Sequence, residues 1–235
     1  MHISKSLFAI AAFSLAGSIW ASQSNELLDK LKRTYPNIAF TQVNETPVPG
    51  IYEAMFGKEI LYVESSGTYF FPTMMNMVTK VNLGDVRREE LNRVDFSDLP
   101  LNDAIKTVHG TGQRKIAVFS DPNCGYCKKL EANLVSLKDV TIYTFPVGIL
   151  GADSISKAQS VVCATGDKSK LWRAMLTEGA KPVEKVCSNE SPARNLELFK
   201  RLGFQGTPSV VFQSGATLKG YAENPRFEEL MVAKK

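Results

Sequence analysis

"SDPNCGYCKKLEANL", from Ser120 to Leu134, puts two of the chain's four cysteines three residues apart. The residues just before it, "KIAVFS" (Lys115 to Ser120), form an apolar run of the kind expected for a strand buried on both faces. The residues from Cys127 onward, "CKKLEANLVSL", carry apolar positions at helical spacing. The Cys-x-x-Cys therefore stands where a strand ends and a helix begins. The first helical turn has unpaired N–H groups and the positive end of the dipole, and both stabilise a thiolate. Cys124 is the expected nucleophile. Cys127, one turn deeper, is placed to attack any mixed disulfide that Cys124 forms. Lys128 and Lys129 add positive charge nearby, while Asp121, Pro122 and Asn123 read as turn residues without a catalytic part.

Other uses of this cysteine pair fit less well. A zinc site wants two such pairs, or one pair and histidines. Here Cys163 and Cys187 stand far apart, and His109 is the one histidine left once the N-terminal segment is set aside. A Cys–His hydrolase would depend on the same His109. A purely structural Cys124–Cys127 bond would close too small a loop to stabilise much. Redox chemistry is the expected use, with no metal and no cofactor.

The N-terminus points to the compartment. Lys5 precedes the apolar run "LFAIAAFSLA" (Leu7 to Ala16), and small residues follow, which is the layout of a secretory signal peptide over 1–21, cleaved after Ala21 or Ser18. The apolar run is shorter than the roughly 20 residues of a bilayer span. Removing this segment takes away Lys5 alone among the charged residues, so a net charge of +4 becomes +3. That balance argues against a nucleic-acid partner. Outside the cytosol, disulfides persist.

Two blocks of different texture follow. In 22–83, "ELLDKLKR" is helical, and "IYEAMF", "EILYVE" and "TYFF" are strands separated by hairpin signals, with "NMVTKVNL" as a fourth. This α+β unit is small, and its apolar edges call for a partner, such as a second copy of itself. Residues 84–112 read as a helical linker, with Asp85 capping a charged helix and a second short helix near Pro100 before "HGTG". Residues 113–235 alternate strand, helix and strand, then a helical region, then the antiparallel pair "PSVVFQ" and "TLKGY" and a closing helix. That is an α/β arrangement. In it "FQGTPSVVF" puts Thr207-Pro208 at the opening of a strand. The X-Pro bond there is either cis, at a cost of about 0.5–1 kcal/mol, or trans at an edge.

Cys124 to Cys127, followed by Thr207-Pro208 before an antiparallel pair, resembles the thioredoxin fold. With the N-terminal α+β unit, the linker, and the helical insertion carrying two further cysteines, the whole chain resembles the DsbC family of periplasmic disulfide isomerases. The resemblance implies a thioredoxin-like catalytic domain with a helical insertion, preceded by a dimerisation domain. It implies that Gly125 and Tyr126 are the active dipeptide, where the related DsbG type has Pro-Tyr and DsbA-type oxidases have Pro-His. It implies that Pro208 is cis and lies against the active pair, with Thr207 tuning its redox behaviour. It also implies a structural disulfide between Cys163 and Cys187. The implied setting is a periplasmic V-shaped homodimer with chaperone-like binding, acting on misfolded exported proteins and kept reduced by a membrane protein of the DsbD type. A DsbG-like reductase or holdase of restricted substrates is the alternative.

Overall fold

The computed structural model describes residues 16–181 and 187–232, with side chains from 23 onward. Most of the signal peptide expected over 1–21 thus lies outside the described residues. The chain divides into two units, residues 1–91 and 92–235.

The first unit contains helix α1 (Ala16–Thr34) and strands β1 (Gln42–Glu45), β2 (Ile51–Phe56), β3 (Glu59–Glu64) and β4 (Phe70–Phe71). The strands form an antiparallel sheet in the order β1-β2-β3-β4. Strands β2 and β3 close on a two-residue turn at which Gly57 takes φ 63°, a conformation that glycine reaches without strain. Leu27 and Leu31 of α1 pack with Val43, Tyr52, Ala54 and Val63 in one core.

"NMVTKVNL" departs from expectation. It forms a hairpin, β5 (Met75–Asn76) with β6 (Val81–Asn82), instead of one strand. The Asn76 carboxamide oxygen accepts from the amides of Val78 and Thr79, which reverses the chain between the two halves. Helix α2 (Leu83–Leu91) follows, and its cap is Asn82, whose oxygen accepts from the Gly84 and Asp85 amides. Asp85 lies in the first turn and does not cap.

The second unit contains β7 (Ile105–His109), β8 (Arg114–Ser120), α3 (Gly125–Leu134), β9 (Val140–Pro146), α4 (Ala152–Cys163), α5 (Lys168–Thr177), α6 (Ser191–Arg201), β10 (Ser209–Phe212), β11 (Thr217–Lys219) and α7 (Asn224–Val232). Its sheet runs β11-β10-β8-β9-β7. Strands β8 and β9 are parallel and joined through α3, and the remaining pairs are antiparallel. Strand β8 is apolar from Ile116 to Phe119, where both its faces are covered. Ile116 and Val118 pack with Leu130, Leu134, Phe227 and Leu230 from α3 and α7. Ala117 and Phe119 pack on the other side with Leu198 and Phe199 of α6.

The linker expected over 84–112 is α-helical only in α2, with single 3-10 turns at Phe96–Asp98 and at Leu101–Asp103, the second where a short helix is expected near Pro100. Residues 92–112 belong to the second unit. Val94, Phe96 and Leu99 are buried in the core with Phe119 and Phe199, and burying each such side chain is worth about 1.5–3 kcal/mol. Residues 105–109 are an edge strand paired with β9. The apolar spacing Leu101, Ala104, Ile105, Val108 has a helical period, so the strand was hidden in it. "HGTG" is the step that carries the chain across the end of β9, which lies between β7 and β8. A side chain at Gly112 would meet Thr141 Oγ1 at 2.7 Å, and φ there is 67°.

Cys163, at the end of α4, is bonded to Cys187, with their Cα atoms 5.6 Å apart. The bond ties α4 to the segment before α6. Replacing both cysteines by serine is expected to lower the stability of the folded protein by about 3–4 kcal/mol, the entropy of closing a loop of this length. Denaturant unfolding reads the change, and an unaltered midpoint would contradict it.

Candidate active site

Strand β8 ends at Ser120, and residues 121–124 turn the chain into α3. Cys124 is the N-cap residue of that helix, with extended backbone (φ −73°, ψ 120°), and its amide donates to the Asp121 carbonyl at 3.1 Å. The helix therefore opens directly beneath the Cys124 sulfur. The Cys124 thiol donates to the carbonyl of Thr207 at 3.2 Å. Residues distant in sequence are thus brought together, and the Thr207–Pro208 bond between them and β10 is cis. Both active-pair thiols are free.

Cys127 is 1% exposed and Cys124 is 9% exposed. Burial pushes the Cys127 thiol up to about 12, while contacts from the Ser120 hydroxyl, the Asp121 amide and the Thr207 hydroxyl oppose that rise. The apolar wall behind the pair comes largely from the helical insertion: Val161 of α4, and Trp172, Met175 and Leu176 of α5, with Ile105 of β7. Glu131, one turn beyond Cys127, is also held up by burial, with the Arg173 guanidinium 3.8 Å away opposing the shift.

The dipeptide between the cysteines faces outward. Gly125 has open space where a side chain would begin, so packing does not require glycine there. Its bareness leaves the approach to Cys124 clear. Tyr126 is exposed. Cys163 and Cys187 are bonded to each other and take no part in the Cys124–Thr207 contact.

Asp121 is a residue that sequence reasoning missed, having been read as turn chemistry. It is fully buried. One carboxylate oxygen accepts from the Asn123 amide at 2.8 Å and the Ser154 hydroxyl at 2.7 Å. The other accepts from the amides of Ile149 and Leu150 at 2.8 and 3.0 Å. The cysteine loop is thereby tied to the loop after β9 and to α4. Gly148 permits that approach, since a side chain there would come within 2.8 Å of the Ile155 backbone. Asn123 adds bonds to Asp153 and Ser154, and accepts from Lys157 at 2.7 Å. The available signal was a run of apolar residues ending abruptly in a lone acid before the cysteine.

Comparisons with known proteins cover both units. Residues 20–83 match the disulfide bond isomerase protein N-terminal domain, and residues 101–235 match the thioredoxin-like domain. The probable thiol:disulfide interchange protein DsbC of Bordetella parapertussis is 34% identical over 200 residues, covering 84% of this chain and 70% of the relative. The thiol:disulfide interchange protein DsbC of Escherichia coli K12 is 25% identical over 200 residues, covering 83% and 82%. Among solved structures, a disulfide interchange protein from Neisseria gonorrhoeae is 40% identical with a TM-score of 0.53, covering 57% of this chain and 96% of that one. An alignment of 200 residues is longer than either unit, so the likeness to the Bordetella relative runs through both, and the chain belongs to the DsbC family of thiol:disulfide interchange proteins.

Proposed function

We propose that this thiol–disulfide oxidoreductase is an exported, homodimeric disulfide isomerase that acts on wrongly paired disulfides in periplasmic proteins. The observation that carries the reading is the position of Cys124, at a helix N-terminus with its sulfur against the Thr207 carbonyl and Cys127 buried one turn behind. Cys124 thiolate attacks a substrate disulfide. One substrate sulfur becomes bonded to Cys124, and the other leaves as a thiolate. A different substrate thiolate then attacks the mixed disulfide, which restores Cys124 and leaves a new pairing with no net electron transfer. Alternatively Cys127 attacks Cys124, forming their disulfide and releasing a reduced substrate. Two electrons must then return from a reductant, for which a membrane protein of the DsbD type is the family's implied source. A Cys127 thiol held protonated slows this escape and favours repeated exchange. Thr207, Pro208, Gly125 and Tyr126 border the attacked bond, and Cys163–Cys187 supports the insertion.

The first unit supports the dimeric reading. Tyr69, Phe71, Met75, Met77 and Val78 are all exposed around β4 and the β5–β6 hairpin. That much apolar surface beside a short edge strand suits a second copy of the unit and the holding of unfolded substrates.

Two tests address the cysteines and the dimer. Cys127→Ser should accumulate mixed disulfides with exported proteins, because the escape route is gone, whereas Cys124→Ser should accumulate none. Because Cys127 sits near 12, iodoacetamide below pH 10 should label Cys124 alone in the native reduced protein and both cysteines in urea. Equal trapping, or equal native labelling, would overturn the assignment of the two roles. A fragment beginning at Asn92 retains Val94, Phe96, Leu99 and β7, which a start near Gly112 would delete. It should be a monomer that still reduces insulin but loses most reactivation of a scrambled multi-disulfide protein. Full isomerase activity in that fragment would overturn the dimeric mechanism.

A further inference from the structure

Tyr126 stands 59% exposed beside Cys124 and belongs to no buried cluster of the described residues. It is nonetheless held on two sides. The ring of Tyr221 stacks on it with centroids 6.2 Å apart and planes 26° apart. The Lys129 ammonium lies 5.4 Å from its ring centroid. Tyr221 is itself anchored twice. Asn133 donates to its phenol oxygen at 2.7 Å, and the adjacent Gly220 amide donates to the carbonyl of Pro208 at 2.8 Å. Gly220 has φ 98°, so glycine suits the turn that delivers Tyr221 to this place. Asn133 lies two helical turns beyond Tyr126 on the same face of α3, which fixes the second ring along that face. Residues from α3, from the loop before β10 and from the segment after β11 thus converge on one pair of rings.

Such an arrangement does little for the core, since one ring remains mostly in water. What it offers is a flat, stiff apolar surface at the first turn of α3, two residues along from Cys124. Tyrosine provides large contact area with only two side-chain torsions to immobilise. The Tyr221 hydroxyl is already engaged by Asn133, which leaves ring surface as the recognition element. An extended substrate advances about 3.3 Å per residue. A side chain one or two positions from the attacked cysteine therefore falls at a ring in the same helical turn as Cys124. We propose that Tyr126 and Tyr221 form a binding ledge for an apolar or aromatic side chain flanking the substrate cysteine, so that disulfides in apolar sequence are exchanged first. This rests on the redox reading above and adds a substrate preference to it.

The test uses the full-length protein and two peptides whose cysteine is blocked as a mixed disulfide with glutathione. One peptide has phenylalanine on both sides of the cysteine and the other has glycine. The readout is the ratio of their kcat/KM values for reduction, with a dithiol reductant returning the two electrons that each turnover takes from Cys124 and Cys127. The wild type should favour the phenylalanine peptide by about tenfold, the scale of one well-made aromatic contact. Tyr221→Ala and the surface change Tyr126→Ser should each bring the ratio close to one, and the double variant should fall no further, because the rings act as a unit. Tyr221→Phe keeps the ring and should retain most of the preference. A wild-type ratio near one, or a ratio that survives Tyr126→Ser, overturns the ledge. If the wild type reduces neither peptide, the redox reading fails first and the ledge falls with it.

Discussion

A carboxylate removed from water is costly unless its lone pairs are occupied. Asp121 meets that condition with four donors drawn from three parts of the chain. Its own loop, the loop after β9 and the first turn of α4 must all be in place before the charge is satisfied. Once they are, the geometry beyond them follows. The Asp121 carbonyl accepts the Cys124 amide, so the helix can begin only there. Its backbone amide reaches the Cys127 sulfur. A single buried acid thus couples the start of α3 to the helical insertion, whose far side supplies the apolar wall behind both cysteines.

That wall gives the two thiols different environments although they are three residues apart. Cys127 points into Val161, Trp172 and Met175, where a thiolate is poorly solvated. Cys124 sits at the helix cap beside the Thr207 carbonyl, with the bare Gly125 next to it. The difference arises from packing of α4 and α5, elements of the insertion, and not from the cysteine motif itself.

Much of this was legible in the sequence where pattern and environment coincide. Strands β2 and β3 fell where their runs stood because Gly57 marks the turn between them. Strand β8 and the Cys-x-x-Cys helix were readable because a run buried on both faces has no polar interruption. Thr207 and Pro208 were recognisable through resemblance, since nothing local reveals a contact with Cys124. Other features obeyed rules that act at a distance. Strand β1, "QVNE", is polar and short, and it is a strand only because β2 offers it an edge. Strand β7 carries a helical apolar spacing that pairing with β9 overrides. Asn82 outcompeted Asp85 as a cap because the β5–β6 hairpin delivers it there. Asp121 looked like a turn residue because its partners at Ser154, Ile149 and Leu150 are remote, and the stacking of Tyr221 on Tyr126 has no trace in either local sequence.

The Cys163–Cys187 bond has a consequence for how the molecule comes into being. In chain order the free thiols Cys124 and Cys127 come first, and the bonded Cys163 and Cys187 come third and fourth, so a bond within each pair would leave the two loops separate. Such a pattern is nested nowhere and crossed nowhere, so an oxidant that joins thiols as they emerge meets each native partner before any foreign one. The chain can thus mature without the rearranging activity it supplies to others. The structure holds the two pairs in opposite states, the second bonded and the first as free thiols. A catalyst of disulfide repair is in this respect its own simplest client, one that never requires repair.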